Sequence, residues 1–155
     1  MKYHLVILFF IFIKYTYSTE MWIQDSTASI TVSKIKTANN EIYSNILLTG
    51  TWTDNLGNFG TYKCNANSHK DTDKILLDGI CEGINQNKEK LWYKIKRNSS
   101  TMEAGVGKTI YLEGTGKYKI LKGISCNYGV RYLKNINFVK TKCKIPDEVK
   151  KALIK

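Results

Sequence analysis

Leu112–Tyr128 reads LEGTGKYKILKGISCNY. Tyr118, Ile120, Lys122, Ile124 and Cys126 fall on one side of a period of two, and Lys119, Leu121, Gly123 and Ser125 fall on the other. Opened by Gly114 and Gly116, this alternation predicts a strand half-buried in a curved sheet. Gly123 in its middle marks a place where a barrel strand bends or admits another backbone.

The same period recurs on both sides of this stretch. Ala28–Lys36 alternates, and NILLTGTWT (Asn45–Thr53) places Ile46, Leu48, Gly50 and Trp52 on one face. Gly60–Asn65, Lys74–Ile84, Leu91–Arg97, Thr109–Leu112, Gly129–Leu133 and Asn137–Lys144 follow, separated by polar or glycine turns. Glu20–Asp25 reads as a mixed lead-in. Short strands at regular spacing, with no internal helical period, predict a closed barrel or a sandwich. Glycines within the strands (Gly50, Gly79, Gly83, Gly123) favour the barrel, where strands coil sharply. The expected fold is all-β: a single antiparallel β-barrel of about eight strands over 19–155, with a β-sandwich as the alternative. A helix is expected only over 146–155, where Pro146 suits a first helical position, Asp147 and Glu148 follow it, and Lys150, Lys151 and Lys155 lie toward the end.

Residues 1–18 read as a secretory signal peptide. Lys2 gives a positive start, Leu5–Ile13 is apolar, and Thr16 and Ser18 are small residues before a cleavage point after Ser18. An apolar run of nine residues is too short to span a bilayer core of about 30 Å. The mature chain would be exported, to the periplasm or the extracellular medium. It would keep 22 basic and 13 acidic residues, a net charge of +9. Such a charge suits a soluble Lys-rich surface, and it also suits attraction to anionic polymers or a membrane surface. Only Arg97 and Arg131 offer the planar fork that chelates phosphate.

Cys64 and Cys81 are 17 residues apart, as are Cys126 and Cys143. The midpoints fall in HKDTDK and LKNIN, both turn-like, so two antiparallel hairpins would set each pair face to face. Four cysteines allow three connectivities, and this geometry selects Cys64–Cys81 and Cys126–Cys143. Each bridge would contribute about 3 kcal/mol by restricting the unfolded chain. A four-cysteine zinc site lacks any C-x2-C spacing. Asn98-Ser99-Ser100 forms a sequon, relevant only to a glycosylating export route.

G-T-G-K-Y (Gly114–Tyr118) followed by K-G (Lys122–Gly123) resembles the G-T-G-K-[FY]-x-G-[IA]-x-G pattern of small calycin-like barrels grouped with allene oxide cyclase and the dirigent proteins. Ile120 and Glu113 stand where that pattern carries glycine. The resemblance implies an eight-stranded barrel that binds or guides small apolar molecules, in some cases with cyclase activity. None of that group's catalytic residues maps onto this chain.

No motif for metal, nucleotide or cofactor chemistry is complete. GVGKT (Gly105–Thr109) ends like a phosphate loop, but Met102 occupies the position of the required first glycine. His69, Asp71 and Asp73 could gather around a divalent ion, yet Lys70 and Lys74 interrupt them, and a solvated hairpin tip is the simpler reading. Glu82, Glu103 and Glu113 are carboxylates on strand-like segments. Glu103 and Glu113 are candidates for an interior proton-shuttling group, and outward ion pairs with lysines are the alternative. Trp52, Tyr62, Tyr93, Tyr111 and Tyr118 are the aromatic candidates for a ligand pocket. LWYKIKR would also suit a single-stranded nucleic-acid face, an idea at odds with an exported disulfide protein. The expected role is therefore non-enzymatic binding of a small, mostly apolar molecule. A cyclase- or isomerase-type enzyme and a basic surface protein for anionic polymers are the alternatives.

Overall fold

The computed structural model describes residues 19–71, 74–101 and 103–154. The signal peptide expected over 1–18 lies outside the described residues. Eight strands run in chain order around a closed antiparallel barrel: β1 Thr19–Lys36, β2 Ile42–Asp54, β3 Phe59–Asp71, β4 Lys74–Asn85, β5 Lys90–Ser99, β6 Gly105–Gly114, β7 Ser125–Leu133 and β8 Ile136–Pro146. A helix, α1 Asp147–Ile154, ends the described chain. The barrel excludes the sandwich alternative.

Strict alternation builds the wall. In β4 the odd-numbered side chains from Ile75 to Cys81 are buried and their even-numbered neighbours exposed. Cross-strand register keeps inner positions opposite inner positions, as in Ile46–Ala66–Gly79–Ile95 from β2 to β5. β1 closes the barrel, pairing with β8 through Thr19–Ser29 and with β2 through Gln24–Lys36. It is therefore twice the expected length, and the presumed lead-in Glu20–Asp25 is strand. Trp22, the first inward anchor of that lead-in, is fully buried.

Both cysteine pairs are bridged as the hairpin geometry requires. Cys64 and Cys81 are direct partners in the β3–β4 register. Cys126–Cys143 joins β7 to β8.

Leu112–Tyr128 is not one strand. β6 ends at Gly114, a 3₁₀ helix spans Gly116–Leu121, and β7 starts at Ser125. Two glycines force this reading of the chain: Gly116 has φ 51° and Gly123 has φ 85°, both in the region that side chains with a Cβ avoid. Gly123 thus belongs to a turn, not to the middle of a strand. Each residue of G-T-G-K-Y has a contact that accounts for it. A Cβ on Gly114 would meet the Tyr118 backbone at 2.7 Å. The Lys90 amide donates to Thr115 Oγ1 at 2.7 Å. The Lys117 amide donates to Glu89 Oε1 at 3.1 Å, and Lys117 Nζ donates to Asn58 Oδ1 at 2.7 Å. Tyr118 is fully buried, edge-on to Trp52 at 6.3 Å, and its hydroxyl accepts from Asn85 Nδ2.

This segment and α1 plug one end of the barrel. Val149 and Leu153 are buried with Trp22, Tyr111, Tyr118, Leu121 and Ile145 in the core cluster. Asn58 Nδ2 donates to the Leu153 carbonyl and Lys150 pairs with Glu20 at 3.1 Å, fixing the helix to the β2–β3 turn and to β1.

Candidate functional site: a cavity open at one end

With one end plugged, the interior is filled only in part. A cavity of about 840 Å³ occupies the remainder and opens at the other end, where β1, β3, β5 and β7 finish and β2, β4, β6 and β8 begin. Its volume lies within the roughly 300–1,000 Å³ typical of small-molecule pockets. The middle of its wall is aliphatic, with Ile30, Ile46, Leu77, Ile95, Val130 and Val139 drawn from β1, β2, β4, β5, β7 and β8. Val32 lines it with 44% of its surface exposed, so the space in front of that side chain is open.

Hydroxyl and amide groups also line the cavity. Ser26 and Asn137 hydrogen-bond the Tyr62 hydroxyl; burial nevertheless pushes that phenol above its ordinary pKa. Asn137 Oδ1 also accepts from the Ala28 amide at 2.9 Å, which fixes its orientation. Burial, with Tyr62 nearby, raises the Tyr93 phenol further. Gln24 accepts from the Tyr111 hydroxyl at 2.7 Å and joins the cavity to the aromatic plug below, where Tyr111 packs against Trp22 and Tyr93.

Of the aromatic candidates, Trp52, Tyr62 and Tyr93 line the cavity. Tyr111 and Tyr118 do not; they are buried in the plug. The alternation that puts a side chain inward cannot say whether that level of the barrel is filled.

The two candidate interior carboxylates are not interior. Glu113 is exposed on β6, opposite Trp92 of β5. Glu103 is exposed in the β5–β6 turn and lines only the mouth. The misplacement of Glu113 has a local cause: a register shift at Trp92/Tyr93 sets Glu113 beside outward Trp92 while Tyr111 pairs with inward Tyr93. Glu82 also points outward. Desolvation works against its ionisation, but Lys63 at 3.3 Å and Lys90 at 3.4 Å outweigh it and hold the carboxyl below its ordinary pKa.

His69 stacks on Tyr43 on the barrel exterior, with ring centroids 4.3 Å apart. Asp73 and the side chain of Asp71 lie outside the described residues. Among the described residues no group of three or more His, Cys, Asp or Glu side chains could hold a metal ion. GVGKT is part of β6 and lacks the strand–loop–helix setting of a phosphate loop. Among the described residues no helix is long and apolar enough to cross a membrane.

The mouth holds residues that the sequence pattern did not single out. Lys34 and Lys70 sit at the inward positions of β1 and β3, and Lys134 lies on the β7–β8 turn. Their signal was available: each strand-borne lysine continues an inward series, Ile30–Val32–Lys34 and Ala66–Ser68–Lys70. Beside them Arg97 is buried, donating to the carbonyls of Thr101 and Glu103 and to the Tyr132 hydroxyl. It ties the β5–β6 turn to β5 and β7 and so shapes the mouth.

No family model, curated protein or solved structure matches the chain. The resemblance at Gly114–Tyr118 therefore rests on those residues and on the eight-stranded closure they accompany.

Proposed function

We propose that this protein is an exported binding barrel that takes a small, mostly apolar molecule into its interior. The observation that carries the reading is the cavity of about 840 Å³, closed at one end and lined through its middle by aliphatic side chains. Burying an apolar molecule there gains roughly 25 cal/mol for each Å² removed from water. Two disulfides and the absence of a free cysteine support export to an oxidising compartment. A cyclase or isomerase acting through an interior carboxylate has less support, since Glu103 at the mouth is the only carboxylate among the described lining residues.

The test is a titration with the neutral fluorophore N-phenyl-naphthylamine, which brightens in apolar surroundings. The mature protein should bind it at a single site, with energy transfer from tryptophan. Val32→Trp should fill the open space and weaken binding at least tenfold while the melting temperature holds. No enhancement with wild type, or the same affinity in the variant, would count against the proposal.

The outer face of β5–β8 favours a second role. Lys96, Lys108, Asn127 and Lys142 form one cross-strand row, flanked by Lys94, Lys140 and Lys144. Asp78 and Asp25 are the acidic partners these lysines have within salt-bridge reach among the described residues. Such a row would attract an anionic polymer. Retention on a sulfated-polysaccharide column that falls with salt, and falls in Lys108→Gln with Lys142→Gln, would support this role. Salt-independent retention, or none, would remove it.

A further inference from the structure

We infer that the ligand of the cavity carries an anionic group, held at the mouth by Lys34, Lys70 and Lys134. The inference rests on the binding-barrel reading and adds the chemical class of the ligand. Three observations support it.

The first is parity. A lysine that serves only solubility belongs on the outward positions of a strand, where Lys63, Lys94 and Lys108 stand. Lys34 and Lys70 instead occupy inward positions at the open ends of β1 and β3 and line the cavity. Their aliphatic stems extend the apolar wall, and their ammonium groups reach water at the rim.

The second is balance. Lys134 completes the set from the opposite turn, and Glu103 is the only carboxylate among the described lining residues. No ion pair or hydrogen bond engages the ammonium groups of Lys34, Lys70 or Lys134 among the described residues. Among the described lining residues three ammonium groups thus stand against one carboxylate, and the outward lysines with salt bridges contrast with them.

The third is polarity along the cavity. Below the rim lies the aliphatic band, and toward the plug lie the hydroxyls and amide of Gln24, Ser26, Tyr62 and Tyr93, with no cation among the described lining residues there. A charged group drawn into the band would lose its hydration without compensation. The opening at the unplugged end makes the rim the place for charge, so an entering molecule keeps its apolar body inside and its anionic group at the lysines.

Two fluorophores of the same skeleton separate the inference from the reading beneath it: neutral N-phenyl-naphthylamine and its anionic counterpart, anilinonaphthalene sulfonate. The sulfonate is the more soluble in water, so tighter binding of it must come from charge. At low salt the mature protein should bind the sulfonate about tenfold more tightly than the amine, the change expected of one charge-assisted hydrogen bond. That preference should vanish at about 1 M salt, where charges more than about 3 Å apart are screened. It should also vanish in the combined variant Lys34→Gln, Lys70→Gln and Lys134→Gln, whose folding is checked by circular dichroism. The salt series on wild type decides the matter even if the variant fails to fold. Equal affinity for the two probes, or a preference that survives both salt and substitution, overturns the inference and leaves the binding barrel standing. If neither probe binds, the inference and the binding-barrel reading fall together.

Discussion

At the scale of single residues, glycine and tyrosine carry most of the information. Gly114 lies against the Tyr118 backbone, where even a methyl group would come within 2.7 Å. Gly114→Ala should therefore cost about 1–3 kcal/mol in urea denaturation through overpacking; an unchanged midpoint would show that the plug is looser than described. Tyr128 is buried inside the barrel, and burial pushes its phenol up to about 12, against an ordinary 10.0, despite the opposing charge of Arg97. Its stabilising effect is complete below pH 10. Above that the unfolded chain releases the proton and the folded chain holds it, so stability falls as pH rises toward 12, by about 1.4 kcal/mol per unit for each such group. Thermal melts across this window should drop steeply, and Tyr128→Phe should flatten the drop. The inward tyrosines were legible from alternation alone. Which of them faces empty space was not, because Tyr93 and Tyr111 share the pattern and differ only in what lies opposite them.

At the scale of elements, the hairpins were the legible part. Cys64 and Cys81 flank a turn and sit in register across β3 and β4, so spacing alone located their bridge. Replacing either cystine by two alanines should cost about 3 kcal/mol, read as a lower urea midpoint. Loss of Cys126–Cys143 should matter as much, because it joins β7 to β8 next to the seam that β1 closes. The 3₁₀ helix Gly116–Leu121 was not legible. Tyr118, Ile120, Lys122 and Ile124 satisfy a period of two by coincidence, and the positive φ of Gly116 and Gly123 decides the conformation instead. The C-terminal helix and its task are both readable in the sequence, from its end charges and from an apolar stripe of Val149, Ala152 and Leu153 fit to cover a barrel mouth; Leu153 is fully buried in the plug. Leu153→Ala should cost about 2–5 kcal/mol. A variant with wild-type stability would show that α1 merely rests on the barrel.

At the scale of the molecule, a barrel of this size either fills its interior or keeps space for a guest, and the difference lies in how the large side chains are distributed. Here Trp22, Tyr111, Tyr118, Leu121, Ile145 and Leu153 crowd one end. Small residues such as Ser44, Ala66 and Ser68 line the cavity on strands nearer the other. A sequence read strand by strand shows inward and outward faces, but the volume enclosed depends on eight strands at once. The most direct measurement is a crystal structure of the mature protein soaked with an iodinated apolar compound. The account predicts an anomalous peak inside the barrel, within contact of Ile46, Leu77 and Val139. Iodine found only on the outer surface, or an interior already filled by rearranged side chains, would contradict it.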